Sequence, residues 1–288
     1  MLGNVIVGQS GGPTSVINSS LAGVYKTAKD RGAKKVYGMR HGIKGLLDRQ
    51  YVDLSEKIKT TMDIELLKRT PSSYLGSCRY KLPEIKDDRE TYDKIFEILD
   101  ELEIKFFFYI GGNDSMDTIK KLSDYAILIG SDIRFMGVPK TIDNDLAVTD
   151  HTPGYGSAAK FIASTMREII RDGLVYDYPT ISIVEIMGRN AGWLTAAAAL
   201  AKGDDCEGVD LLYLPEKTFD IDHFMDRVKE LTAKGRSIVV AISEGIRVLD
   251  GRYVFELSDH VEFVDAFGHK QLAGSAKFLS NKIGAELG

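Results

Sequence analysis

The 288 residues, 44% hydrophobic and 27% charged, suffice for one large core or two ordinary ones and exclude a disordered or low-complexity chain. A formal charge of −5 gives no global basic field, so nucleic acid and anionic membranes are excluded as main partners and an anionic substrate needs a local basic site. The longest low-charge run, Ala191 to Ala201, falls short of the ~20 apolar residues of a membrane span, and the start of the chain has no secretory pattern.

In chain order, residues 4 to 7 read as a first strand. After Gly11 and Gly12 the apolar positions Ile17, Leu21, Val24, Tyr25 and Ala28 share one helical face, and Gly32 follows as a stop. Strands are predicted at Val36 to Met39, Phe106 to Ile110, Phe135 to Val138, Ile181 to Ile186, Val209 to Leu214 and Ile238 to Ile242. Between them Tyr92, Ile95, Phe96, Leu99 and Leu102 form one helical stripe, and Ala158, Ile162, Met166, Ile169 and Ile170 form another; both read as core packing. Strands alternating with helices make an open α/β sheet with crossover helices. The polar loop from Pro139 to Gly156 is the expected lobe boundary. Cys78 and Cys206 have no metal-ligand spacing and read as separate thiols, which suits a reducing cytoplasm.

Ligands of such sheets bind beyond the carboxyl ends of strands, and four polar clusters fall there. SGGPTS, Ser10 to Ser15, is a glycine turn whose N–H groups can approach an anion, and it equally suits a capped strand-to-helix turn. GGNDS, Gly111 to Ser115, adds Asn113 and Asp114 as oxygen ligands for a hard cation, or as helix caps. PKTIDND, Pro139 to Asp145, is the most informative. A turn needs one Asp or Asn, not Lys140, Thr141, Asp143, Asn144 and Asp145 together, whereas phosphoryl transfer uses a cation, a proton-accepting carboxylate and metal-holding oxygens. Last come MGR, Met187 to Arg189, and SEGIR, Ser243 to Arg247, where an Arg and a Glu can grip a phosphate and a sugar hydroxyl or stand as surface charges.

In this order the clusters resemble the 6-phosphofructokinase family: SGG followed by Asn18, GSCRY (Gly76 to Tyr80), GGNDS, PKTIDND, GYGSAAK (Gly154 to Lys160), EIMGR, SEGIR and GHKQLAG (Gly268 to Gly274). The resemblance implies two Rossmann-like three-layer lobes with mostly parallel sheets and the active site in the cleft between them. Residues 1–150, with 271–288 packing back, would form the phosphoryl-donor lobe, and 151–270 the sugar-phosphate lobe. It implies Asp143 as the base for the sugar 1-hydroxyl, with Lys140 and Thr141 beside the transferring group. Gly11, Gly12, Arg79, Gly112, Asp114 and Ser115 would meet the donor. Thr141, Asp143, Asp145, Met187, Gly188, Arg189 and Glu244 would meet fructose 6-phosphate. Mg²⁺ would be held by Asp114 with Asn113, in a cytoplasmic homo-oligomer, dimer or tetramer, of glycolysis.

Two positions depart from the ATP-using pattern. GGNDS stands for GGDGS, and Lys140 stands in PKTIDND where that pattern has PGTIDND. A carboxylate at Asp114 obstructs and repels a nucleotide α-phosphate, while an ammonium neutralises a short donor, so pyrophosphate is the expected donor, as in the pyrophosphate-dependent branch. Thr180 and Leu272 stand where arginines are often found, which speaks against active sites shared between subunits, and family members are expected to continue beyond Gly288. The alternatives are an ATP-dependent enzyme, a kinase of the NAD or lipid type, and a catalytically silent subunit that binds sugar phosphate.

Overall fold

A computed structural model of the chain describes residues 3–257 and 274–287. Residues 268–273 of GHKQLAG, with Leu272, lie outside the described residues, as do Met1, Leu2 and Gly288. The chain divides into two units, Met1–Thr141 and Ile142–Gly288.

In the first unit β1 (Asn4–Gln9) leads through α1 (Ile17–Asp30) to β2 (Val36–Met39). There follow α2 (Gly42–Leu47), β3 (Tyr51–Asp53), α3 (Leu54–Lys57), α4 (Thr61–Arg69), α5 (Arg89–Glu101), β4 (Ile104–Gly111), α6 (Asn113–Ile129) and β5 (Arg134–Pro139). The sheet runs β3-β2-β1-β4-β5, parallel except for β3 against β2. All six residues of β1 are buried, because helices cover both faces of a parallel sheet. Its side chains alternate: Val5 and Val7 join Ile17, Leu21 and Tyr25 of α1 on one face. Ile6 joins Tyr92, Ile95 and Phe96 of α5 and Leu122 and Tyr125 of α6 on the other. Each such aliphatic or aromatic side chain taken out of water contributes ~1.5–3 kcal/mol.

The second unit contains α7 (Tyr155–Asp172), β6 (Ile181–Ile186), and α8 (Trp193–Ala196) running into a 3-10 turn (Ala197–Ala201). It continues with β7 (Leu211–Tyr213), α9 (Ile221–Thr232), β8 (Ile238–Ser243), a second 3-10 turn (Val254–Leu257) and α10 (Ser275–Leu287). Its three strands are parallel in the order β6-β8-β7. Val240 and Ile242 of β8 pack with Phe224 and Val228 of α9, whereas Val239 and Ala241 pack with Met166 of α7 and Leu194 of α8. Both units are therefore three-layered α/β, as expected.

The differences from expectation have physical causes. The boundary falls at Thr141, ahead of residue 150, because Ile142 packs with the core of Met166 and Ile186, and Asn144 is bonded to Asp150 and Thr152. Of the closing segment, expected to pack with the first lobe, the described residues 274–287 have Leu279 and Ile283 of α10 packed with Phe224 and Val240 inside the second unit. Of the predicted strand Val209 to Leu214 only Leu211–Tyr213 forms strand: the Asp210 N–H still donates to Val239 O at 2.9 Å, but the Asp210 carboxylate takes the Val239 N–H at 2.8 Å, and Pro215 closes the run.

Candidate active site

In the first unit β1 passes the chain outward to β2, while its other neighbour β4 passes it the opposite way to β5. The crossover direction reverses between β1 and β4, and the crevice outside the carboxyl ends there is where open α/β sheets bind ligands. The register puts Gln9 opposite Ile110 and Gly111 opposite Pro139, so the turns after β1, β4 and β5 lie side by side. SGG, GGND and Lys140 are brought together by strand order alone.

These turns are stitched to one another. The Ser10 N–H donates to Ile110 O at 2.9 Å, and the Lys140 N–H donates to Gly111 O at 3.0 Å. The Ser10 and Ser115 hydroxyls hydrogen-bond, and Ser115 is buried, so its side chain holds the turn rather than facing a donor. Lys140 is only 6% exposed and its ammonium donates to Gly12 O. Gly11 has φ +74°, and a Cβ there would stand 3.3 Å from Lys140 Nζ, so a side chain is disfavoured both by backbone and by space. The Gly11 N–H is taken by Cys78 O at 3.2 Å, and Ser77 Oγ donates to Gly11 O at 2.6 Å. Arg79, the next residue, is exposed. Beneath them the Tyr109 hydroxyl accepts from the Ile43 N–H at 3.2 Å, and burial pushes its phenol well above the usual value, which keeps it neutral.

The two glycine turns differ in their helices. α6 starts at Asn113, directly after Gly112, so the positive end of a 17-residue helix lies in the turn and Asn113 and Asp114 are exposed there. α1 starts only at Ile17, with Val16 as N-cap and no side-chain cap bond, so the Ser or Thr cap that the sequence also suits is not formed. In PKTIDND, Thr141 and Asp143 are half-buried and Asp145 is exposed. Asn144 belongs to the scaffold instead. It is 7% exposed with φ +58°, donates to Asp150 O at 3.0 Å and accepts from the Thr152 N–H at 2.8 Å. Asn tolerates the left-handed region better than most residues, and here its amide closes the loop 144–152.

In the second unit β6 and β8 are neighbours, so MGR and SEGIR end side by side, with Ile186 opposite Ser243. The Gly188 N–H donates to Glu244 Oε1 at 3.0 Å, and Ser243 Oγ donates to Gly188 O at 2.7 Å. The Glu244 N–H donates to Ile186 O at 2.9 Å. Gly188 has φ +132°, and a Cβ there would stand 2.5 Å from Ala191 O. Met187 and Arg189 are exposed on this frame, and one oxygen of Glu244 is committed to it. Gln9 and Tyr109 are parts that sequence reasoning did not single out, while Asn18, Ser10 and Ser243 were named only as members of their motifs. The only signal for Gln9 is a polar residue at the end of a wholly buried strand.

Among the described residues there is no group of three His, Cys, Asp or Glu that could hold a metal, and no helix long and apolar enough to cross a membrane. Asp114 and Asn113 offer only oxygen ligands at the helix end. That fits a magnesium-type ion, which keeps most of its waters and takes one or two carboxylates together with substrate phosphates.

A family model described as Phosphofructokinase matches residues 4–288. A pyrophosphate–fructose 6-phosphate 1-phosphotransferase of Rhodospirillum rubrum is 45% identical over 275 residues, covering 95% of this chain and 66% of that protein. One from Xanthomonas campestris is 43% identical over 288 residues, covering 99% and 68%. A solved pyrophosphate-dependent phosphofructokinase from Marinobacter aquaeolei superposes with a TM-score of 0.81 at 35% identity, covering 99% of this chain and 66% of that one. The chain thus spans about two thirds of the length of these relatives.

Proposed function

The chain belongs to the phosphofructokinase family, and from that premise we propose that it transfers a phosphoryl group from inorganic pyrophosphate to the 1-hydroxyl of fructose 6-phosphate. The products are fructose 1,6-bisphosphate and phosphate, and the reaction is reversible. The observation that supports pyrophosphate over a nucleotide is Lys140, a buried ammonium bonded to the Gly12 carbonyl at the position where the ATP-using pattern has glycine.

In this proposal Asp143 accepts the proton of the 1-hydroxyl as its oxygen attacks the terminal phosphorus; the new O–P bond forms, the bridging P–O bond breaks and phosphate leaves. Lys140 and Arg79 neutralise donor charge, Thr141 lies beside the transferring group, and Gly11, Gly12 and Gly112 let the donor approach the backbone. Arg189 pairs with the 6-phosphate, with Met187 and Gly188 shaping that subsite, while the second oxygen of Glu244 and Asp145 take sugar hydroxyls. Ser115 acts through Ser10. Magnesium, which Asp114 with Asn113 would hold, offsets the phosphate charge when bound. Because phosphoryl transfer asks little covalent chemistry of the protein, positioning and charge are what these residues supply. The proposal extends to a cytoplasmic homo-oligomer, dimer or tetramer, on the family resemblance.

The test is an assay of the purified chain with fructose 6-phosphate and Mg²⁺ and with pyrophosphate, ATP or ADP as donor. Turnover with pyrophosphate well above that with either nucleotide is the expected result. A preference for ATP overturns the donor assignment, and no turnover with any donor overturns the reaction.

A further inference from the structure

Behind the donor turn lies a buried amide pair with no place in the chemistry above. Gln9 is 0% exposed and Asn18 is 1% exposed. Gln9 Nε2 donates to Ile17 O at 3.1 Å and to Asn18 Oδ1 at 2.9 Å. The remaining bonds all go to one irregular stretch of backbone. Asn18 Nδ2 donates to Thr70 O at 2.8 Å and Ser72 O at 2.7 Å. Asn18 Oδ1 accepts from the Tyr74 N–H and Gln9 Oε1 from the Leu75 N–H, each at 2.9 Å. Residues 70–79 contain no helix or strand, and Ser72 has φ +64°, so this stretch has no ladder of its own to satisfy its backbone. Two side chains replace that ladder.

What the stretch carries gives the pair its consequence. From Leu75 the bonds continue: Leu75 O accepts from the His41 N–H at 2.9 Å, Ser77 Oγ donates to Gly11 O, and Cys78 O accepts from the Gly11 N–H. Arg79 follows at once. The path from the buried pair to the guanidinium is therefore a bonded chain that ends on the same glycine turn that Lys140 touches. We propose that Gln9 and Asn18 are positioning residues for the phosphoryl donor: their amides set the 70–79 stretch so that Arg79 is delivered to the turn after β1. This rests on the donor reading above. The residues act through Arg79, and neither touches substrate.

A purely structural role would lower stability and leave the donor site otherwise intact, so the test separates the two. Pyrophosphate affinity is measured by calorimetry for the unaltered chain and for Gln9→Glu, Asn18→Asp, Arg79→Ala and the Gln9→Glu/Arg79→Ala pair. Amide exchange at Tyr74 and Leu75 is followed alongside. Leu99→Ala, in the core on the other face of the sheet, serves as a variant that lowers stability without touching the stretch. Gln9→Glu keeps the acceptor for Leu75 and turns both donor bonds into buried oxygen–oxygen contacts, so its fold is checked by exchange across β1 and β4 before its affinity is read, with Asn18→Asp beside it. The expected result is pyrophosphate affinity ~10-fold weaker in the two amide variants, faster exchange at Tyr74 and Leu75, and less than about twofold further loss when Gln9→Glu is added to Arg79→Ala. Fructose 6-phosphate affinity stays within about twofold throughout, and Leu99→Ala binds pyrophosphate normally. The proposal is overturned if exchange quickens while donor affinity holds, or if the Gln9→Glu loss recurs in full beside Arg79→Ala. Should the unaltered chain bind ATP and not pyrophosphate, the donor reading above fails on its own and the same cycle is read with ATP.

Discussion

Lys140 and Asp114 carry opposite charges at the ends of neighbouring elements, and each has a separate task in the donor proposal. Lys140 is buried against the glycine turn, while Asp114 is exposed in the first turn of α6. A charge-assisted contact from Lys140 to phosphate is worth ~1.5–3 kcal/mol, or roughly ten- to a hundredfold in affinity. Lys140→Gly should therefore impair pyrophosphate use without creating good ATP use, since the Asp114 carboxylate still meets a nucleotide. Asp114→Gly should permit measurable ATP-dependent turnover, and the double variant should shift preference further. The check is the ratio of kcat/KM for the two donors across the unaltered chain and all three variants; a ratio that Asp114→Gly leaves unchanged removes the steric account. Asp143 belongs to the chemical step. Asp143→Asn keeps the size of the side chain and loses the base, so kcat should fall ~10²-fold or more while KM changes much less. Steady-state kinetics with near-normal kcat would take Asp143 out of the mechanism.

At the scale of elements, the loops after β6 and β8 make one frame, and its weak point is Gly188. Gly188→Ala must hold φ near +132° and push a methyl group to 2.5 Å from Ala191 O, which should cost about 1–3 kcal/mol in stability and raise the KM for fructose 6-phosphate. Glu244→Gln retains an oxygen for the Gly188 N–H and should fold with near-normal stability. Glu244→Ala leaves a buried donor unmatched and should lose about 1–3 kcal/mol. Denaturant unfolding and sugar-phosphate titration read both effects, and a Glu244→Gln protein as unstable as Glu244→Ala would mean that the bond to Gly188 does not hold the frame. The sequence was most legible where burial on both faces makes an apolar run. β2 and β6 begin and end at the predicted residues, and β8 runs one residue beyond its prediction. It was least legible between residues 42 and 69, where α2, β3, α3 and α4 are too short to show a period. The clusters after β1, β4 and β5 could be listed from sequence, but their adjacency depends on strand order. Asn144 looked like part of the chemistry because its composition suits it, yet its partners Asp150 and Thr152 make it a loop staple. Asn18 was named only as the residue following SGG, and Gln9 not at all, for a related reason: an amide pair bonded to backbone 52 to 66 residues away leaves no local pattern.

Across the whole chain, each unit has its own three-layered core and its own row of strand ends, and the proposed reaction divides between them by substrate. The glycine turns, Arg79 and Lys140 are in the unit ending at Thr141, while MGR and SEGIR are in the unit that starts at Ile142. If that division is right, each ligand alone should protect a different set of backbone amides from exchange. A ligand that binds only the closed form of a local opening slows exchange through that opening by about 1 + [L]/Kd, so pyrophosphate at a hundred times its Kd should slow it ~100-fold. Pyrophosphate with Mg²⁺ should act on residues 10–12, 74–79 and 111–116. Fructose 6-phosphate should act on 186–190 and 243–247, where the Glu244 and Gly188 N–H groups are bonded within the frame. Exchange followed by mass spectrometry with each ligand separately is the measurement. Protection by pyrophosphate confined to 186–190 and 243–247 would reverse the assignment, because a donor held by Arg189 instead of Arg79 leaves the turn after β1 with nothing to bind.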